Sequence, residues 1–147
     1  MRRKILFMIL SFLFFFAVIF TLKCFSEEAA TFAPENYVIA YYFHGNFRCY
    51  TCTMMEQYIR EAVETKLKDA LALGKLEFKA VNVEERGNEH FINDYQLYTK
   101  SLILSLVKDG KEIRSKNLTK IWEYVRNKQR FFDYVTEEVN NFLKEAQ

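Results

Sequence analysis

Proline occurs once in this chain, at Pro34, and glycine only four times in 147 residues. That scarcity argues against a loop-rich or low-complexity protein, and no internal repeat is present. No G-x-G-x-x-G string exists, so nothing resembles a flavin or nicotinamide site. Histidine is found twice and cysteine three times, with no second C-x-x-C and no His pair. Any thiolate metal site built on these residues falls one or two ligands short of a closed zinc site. Acidic residues are missing from the first 26 positions, while Arg2, Arg3, Lys4 and Lys23 fall there. The remainder carries seventeen basic and nineteen acidic residues, a net charge of −2. Such a balance leaves no electrostatic footprint for nucleic acid.

Half of the residues are apolar and 17% are aromatic, enough for one packed domain at this length. The first apolar run is Ile5 to Leu22, eighteen residues without a charge, directly after Arg2-Arg3-Lys4. As a helix it would span roughly 27 Å, close to the hydrocarbon thickness of a bilayer. Residues 1–26 are therefore expected to be a signal anchor or a signal peptide, with cleavage possible after Ser26 because Cys24 and Ser26 are small. A lipid-modified Cys24 is a third option, poorly served by Lys23 before it. In each case the basic flank stays in the cytoplasm and the domain faces outward, in the periplasm or at the cell surface. Residues 27–35 form a polar tether, and the domain occupies 36–147.

Cys49-Tyr50-Thr51-Cys52 is the stretch around which that domain is organised. Tyr37 to Phe43 leads into it, apolar throughout rather than alternating, as suits a central strand covered on both faces. After it, Met55, Ile59, Ala62, Val63, Leu67, Ala70 and Leu71 recur at three- and four-residue spacing, which predicts an amphipathic helix ending near Gly74. Thr53 to Glu56 also fits a capping box, so the helix start lies anywhere from Cys49 to Thr53. Leu76 to Val83 reads as a second strand, and Asn88 is a candidate cap for a short helix through Phe91, Ile92 and Tyr95. Ser101 to Val107 reads as a third strand, Asp109-Gly110 as a hairpin turn, and Lys111 to Ser115 as a fourth strand. Asn117 or Thr119 would cap a terminal helical region, with a break at Asn127-Lys128.

This element order, with a dithiol after the first strand, resembles the thioredoxin fold: an α/β domain with a four-stranded mixed sheet flanked by helices, here preceded by an N-terminal hydrophobic helix. Within that superfamily, Tyr41 to Glu56 is similar to a subgroup of small exported thioredoxin-like proteins, through the His-Gly-Asn turn followed by Arg-Cys-x-Thr-Cys. Some of these are labelled subunits of a nitrophenyl-compound nitroreductase. Two departures from the thioredoxin pattern stand out. No acid occurs from Tyr37 to Arg48, where thioredoxins carry one, and Thr99-Lys100-Ser101 fills the place of the usual cis-proline.

The resemblance implies disulfide exchange, and the residues allow it independently. Cys49, at the exposed end of a helix, would be the nucleophile, and Cys52 one turn further in would resolve the mixed disulfide. Arg48, His44 and Lys100 are candidate thiolate stabilisers, although Arg48 can equally be a solvated charge and His44 a turn residue. No cofactor is expected. Protein thiols or disulfides, or a membrane reductase partner, would exchange electrons with the dithiol, and residues 5–22 would hold it at the membrane. The alternative is a carrier for a soft metal or metalloid using Cys49 and Cys52 with His44 or Met54. A third reading is a merely structural disulfide. Met54 and Met55 fit helix packing, Tyr41 and Tyr42 the core, Trp122 an anchor for the last helix, and His90 a surface position.

Overall fold

A computed structural model describes residues 35–147. The apolar segment 5–22, Cys24, the boundary at Ser26 and Pro34 lie outside the described residues. Among the described residues no helix is long and apolar enough to cross a membrane.

The elements run β1 (Asn36–His44), α1 (Tyr50–Lys66), α2 (Lys68–Ala72), β2 (Leu76–Asn82), α3 (His90–Asp94), β3 (Ser101–Lys108), β4 (Lys111–Asn117), α4 (Ile121–Tyr124) and α5 (Lys128–Glu145). One mixed sheet has the order β2-β1-β3-β4. β1 and β2 are parallel, Val38 opposite Leu76 and His44 opposite Asn82. β1 pairs antiparallel with β3, Tyr42 opposite Leu102, and β3 pairs antiparallel with β4. The hairpin between the last two strands turns on Asp109 and Gly110, both with positive φ (52° and 72°). An Asp-Gly pair accepts that left-handed backbone, and the turn's twist matches that of the strands.

Burial explains why β1 reads as an unbroken apolar run and why β3 is apolar apart from two serines. Every residue from Ser101 to Val107 is buried, because β3 has a strand on each side and side chains over both faces. Val38, Ala40 and Tyr42 of β1, with Leu102, Leu104 and Leu106 of β3, meet Met55, Ile59 and Val63 of α1 and Phe131, Val135 and Val139 of α5. On the opposite face Tyr41 and Phe43 pack with Phe91 and Tyr95, ring centroids 5.1 to 6.2 Å apart. The two buried serines are satisfied: Ser101 donates to the Thr99 carbonyl, and Ser105 donates to Glu112.

Four local expectations are revised. The helix predicted to run on to Gly74 stops at Lys66, where Leu67 leaves helical geometry (φ −122°, ψ 17°) with its side chain buried, and α2 follows. Asn88 does not cap α3; its side chain donates instead to the Asn82 carbonyl at 2.9 Å. β4 continues through Asn117, which pairs with Ile103 and so cannot cap a helix. Nor does Thr119 supply a cap, since α4 has no side-chain cap. The break at Asn127 is present, and that residue caps α5 by accepting from the Arg130 N–H at 3.0 Å.

Candidate functional site

β1 ends at His44, and the five-residue connection 45–49 carries the chain from the sheet onto α1. Gly45, at the start of that turn, lies close against the Glu84 side chain. A Cβ there would lie 2.3 Å from Glu84 Oε1, and the same carboxylate accepts the Asn46 N–H at 3.0 Å. Cys49 then occupies the N-cap position of α1 in extended conformation (φ −75°, ψ 162°), and its Sγ accepts the Cys52 N–H at 3.2 Å. The helix thus begins immediately after the first cysteine. Thr53 to Glu56 lies inside α1 and caps nothing.

Cys49 and Cys52 are joined in a disulfide, with their Cα atoms 5.1 Å apart. The two sulfurs belong to residues of unlike exposure. Cys52 is 2% exposed, whereas Cys49 is partly open and stands between the exposed side chains of Phe47 and Tyr50. Beneath the disulfide, the Tyr42 hydroxyl donates to the Cys52 carbonyl at 2.7 Å, tying the first turn of α1 to β1. Burial pushes the Tyr42 phenol up to about 12; Arg48 nearby pulls it down and Glu56 pushes it up.

Arg48 makes its contacts with Glu56 and His44. Its Nη2 donates to Glu56 Oε2, and its Nη1 lies 3.3 Å from His44 Nε2. The other His44 nitrogen, Nδ1, is 3.0 Å from the Gly45 carbonyl. Because a carbonyl only accepts and a guanidinium only donates, Nδ1 carries the proton and Nε2 receives the Arg48 hydrogen. Both ring nitrogens of His44 are therefore occupied within the turn. Lys100 places its ammonium 5.9 Å from the centre of the Phe47 ring, and its carbonyl accepts from Trp122 Nε1 at 3.0 Å. Trp122 thereby ties α4 to the 99–101 segment. No cis peptide bond occurs among the described residues. A cavity of about 160 Å³ adjoins this corner, lined by Phe43, His44, Ile92, Leu97, Tyr98 and Lys100 among others.

No group of three or more His, Cys, Asp or Glu side chains suited to hold a metal is found among the described residues. Met54 packs against the core. His90 is exposed and pairs with Asp94 on its own helix.

Glu56 and Tyr42 are the site residues that sequence reasoning did not single out for chemistry. Glu56 follows Cys52 by four residues and Cys49 by seven, a spacing that places it on the cysteines' face of a helix. Tyr42 was expected in the core; nothing in its pattern signals that its hydroxyl would meet the Cys52 backbone.

Fold and site together define a thioredoxin-like α/β domain with a C-x-x-C disulfide at the mouth of its first helix. That assignment rests on the strand order, the parallel β1–β2 crossover through α1, the terminal hairpin and the placement of the cysteines. No family model matches the chain, and no curated protein matches it. Among solved structures the chain is similar to thioredoxin of Fasciola hepatica, at 24% sequence identity over 61% of this chain and 79% of that one, with a TM-score of 0.33.

Proposed function

We propose that this protein is a membrane-tethered, extracytoplasmic thiol–disulfide oxidoreductase, or an electron-transfer subunit, working through Cys49 and Cys52. The observation that carries this reading is the asymmetry of the disulfide: a partly open Cys49 at a helix N-cap and a buried Cys52 one turn inward. A partner thiolate can reach Cys49 Sγ. Its attack forms a mixed disulfide and breaks the Cys49–Cys52 bond, and Cys52 leaves as a thiolate that takes up a proton. A second partner thiolate then attacks the partner sulfur of the mixed disulfide, and Cys49 leaves as a thiolate. Two electrons pass from partner to protein, and the reverse sequence returns them. The N–H groups and dipole at the start of α1 favour that thiolate over an ordinary cysteine's.

The membrane tether and outward placement are supported by Arg2-Arg3-Lys4 and the uncharged run Ile5 to Leu22. The proposed partners are protein thiols or disulfides, or a membrane reductase that recharges the dithiol. The resemblance of Tyr41 to Glu56 to nitroreductase-labelled subunits fits an electron-transfer role, since this chain has no G-x-G-x-x-G for a flavin or nicotinamide.

The test is the dithiol potential of the full-length protein, together with its exchange with a protein dithiol. We expect a potential between about −270 and −120 mV, the range of exchanging dithiols, and loss of exchange in Cys49→Ser. A potential below about −300 mV, where structural disulfides lie, would overturn the reading, as would undiminished exchange in that variant.

A further inference from the structure

The disulfide-exchange reading leaves open what sets the driving force, and the inference below rests on it. Arg48 and Glu56, eight positions apart, pair across a stretch that contains both cysteines. The bond runs from the residue before Cys49 to the turn of α1 after Cys52. Their side chains are 30% and 19% exposed, so water screens the pair less than it would at the open surface. Glu56 is itself held in place, its Oε1 lying 3.4 Å from Arg60 Nη2. Arg48 is held at a second point by His44, while its Nε is buried with no partner. Arg48 adjoins Cys49 in the chain, and Glu56 lies one helical turn after Cys52 on α1, so the bond between them spans the dithiol segment.

In the disulfide neither sulfur is charged, and Arg48 is engaged by Glu56 and His44. Reduction takes two electrons and one proton to give a Cys49 thiolate and a Cys52 thiol. A new anion then stands on the residue next to Arg48. Glu56 and that thiolate compete for one guanidinium.

We propose that Glu56 is a positioning residue that withholds Arg48 from the Cys49 thiolate, so that the ion pair, and not Arg48 alone, sets the balance between dithiol and disulfide. While the carboxylate holds the guanidinium, the thiolate gains little from it and the disulfide is favoured. Without the carboxylate, Arg48 turns its charge on Cys49 and the dithiol is favoured.

The experiment equilibrates full-length protein with reduced and oxidised glutathione at pH 7 and measures the fraction of dithiol. Two reduced glutathiones supply the electrons and become one oxidised glutathione. Glu56→Gln is expected to raise the equilibrium constant for reduction about tenfold, or about 30 mV, and to lower the Cys49 pKa, read from thiolate absorbance. Glu56→Asp, which keeps the charge, should stay within about threefold of the parent. In an Arg48→Met background the Glu56→Gln effect should shrink to less than twofold. A persisting effect there would mean that the carboxylate acts on the sulfur directly, and would overturn the proposal. Arg48→Met alone gives an independent check that leaves Glu56 intact. If Arg48 is withheld, its removal lowers the constant less than threefold; a tenfold fall overturns the proposal. These equilibria are read whether or not any partner protein is turned over, so failure here is distinct from failure of the exchange assay.

Discussion

At the scale of single residues, the site depends on side chains whose role follows from a neighbour rather than from their own chemistry. Tyr42 is fully buried, and its hydroxyl has one partner, the Cys52 carbonyl. Tyr42→Phe removes that bond and is expected to reduce stability by about 1 kcal/mol at pH 7. The pH dependence is more diagnostic. The phenol is raised from 10.0 to about 12 in the folded protein, so the folded state keeps its proton where the unfolded chain has lost it. That contribution is fully present below pH 10 and is lost as pH rises toward 12. Two pKa units correspond to roughly 2–3 kcal/mol for this buried group. Urea unfolding of parent and Tyr42→Phe between pH 9 and 12 should show the parent losing that much more stability; parallel losses would show that Tyr42 does not titrate late. Of the candidate residues, the cysteines were legible because a C-x-x-C between an apolar run and a helical pattern has few structural outcomes. The partners of Arg48, His44 and Lys100 were not. A long cationic side chain can reach many places, and the sequence does not say that Glu56 lies within reach of Arg48 while Phe47 lies near Lys100.

At the scale of elements, strands and hairpin were legible because their signals are physical constraints. Ser101 to Val107 carries large apolar residues on both faces because it is covered on both faces, and Asp109-Gly110 tolerates positive φ where most residues do not. Helix boundaries were less legible, since several residues can cap and only packing selects among them. Cys49 caps α1 through sulfur, an acceptor that cap preferences for oxygen side chains do not anticipate. Asn88 resembles a cap in sequence but is drawn off by the Asn82 carbonyl. Asn127 is the residue that does cap, in extended conformation (φ −128°, ψ 95°), with Oδ1 accepting the Arg130 N–H. Its helix is the longest described, and Phe131, Val135, Val139 and Phe142 on it line the core against β1 and α1. Asn127→Ala is therefore expected to lower stability by about 1 kcal/mol, and Asn127→Ser by distinctly less, because serine can accept the same hydrogen bond. Equal losses in denaturant unfolding of the two variants would show that the side-chain bond contributes nothing.

At the scale of the whole molecule, the question is whether the disulfide holds the fold together or the fold holds the disulfide ready. The bond closes a sequence separation of three, and although Cys52 is buried, neither cysteine belongs to the main hydrophobic cluster between the sheet, α1 and α5. In the chain-entropy picture so short a loop contributes only about 2 kcal/mol. Reduction should accordingly leave the far-UV spectrum and a cooperative transition in place, with Tm lowered by at most about 10 °C. Collapse on reduction would make the bond a structural staple. The same quantity governs the chemistry, because folding and reduction form a closed thermodynamic cycle. The stability that the fold gains from the disulfide equals the extra stability that the disulfide gains from the fold. A gain of about 2 kcal/mol moves the potential by only about 40 mV from that of the same dithiol in the unfolded chain. A bond so lightly held by its scaffold is what the proposed exchange with partner thiols requires. What the fold adds is a buried Cys52 set against a partly exposed Cys49, with an ion pair, Arg48 to Glu56, closing over the segment that carries both.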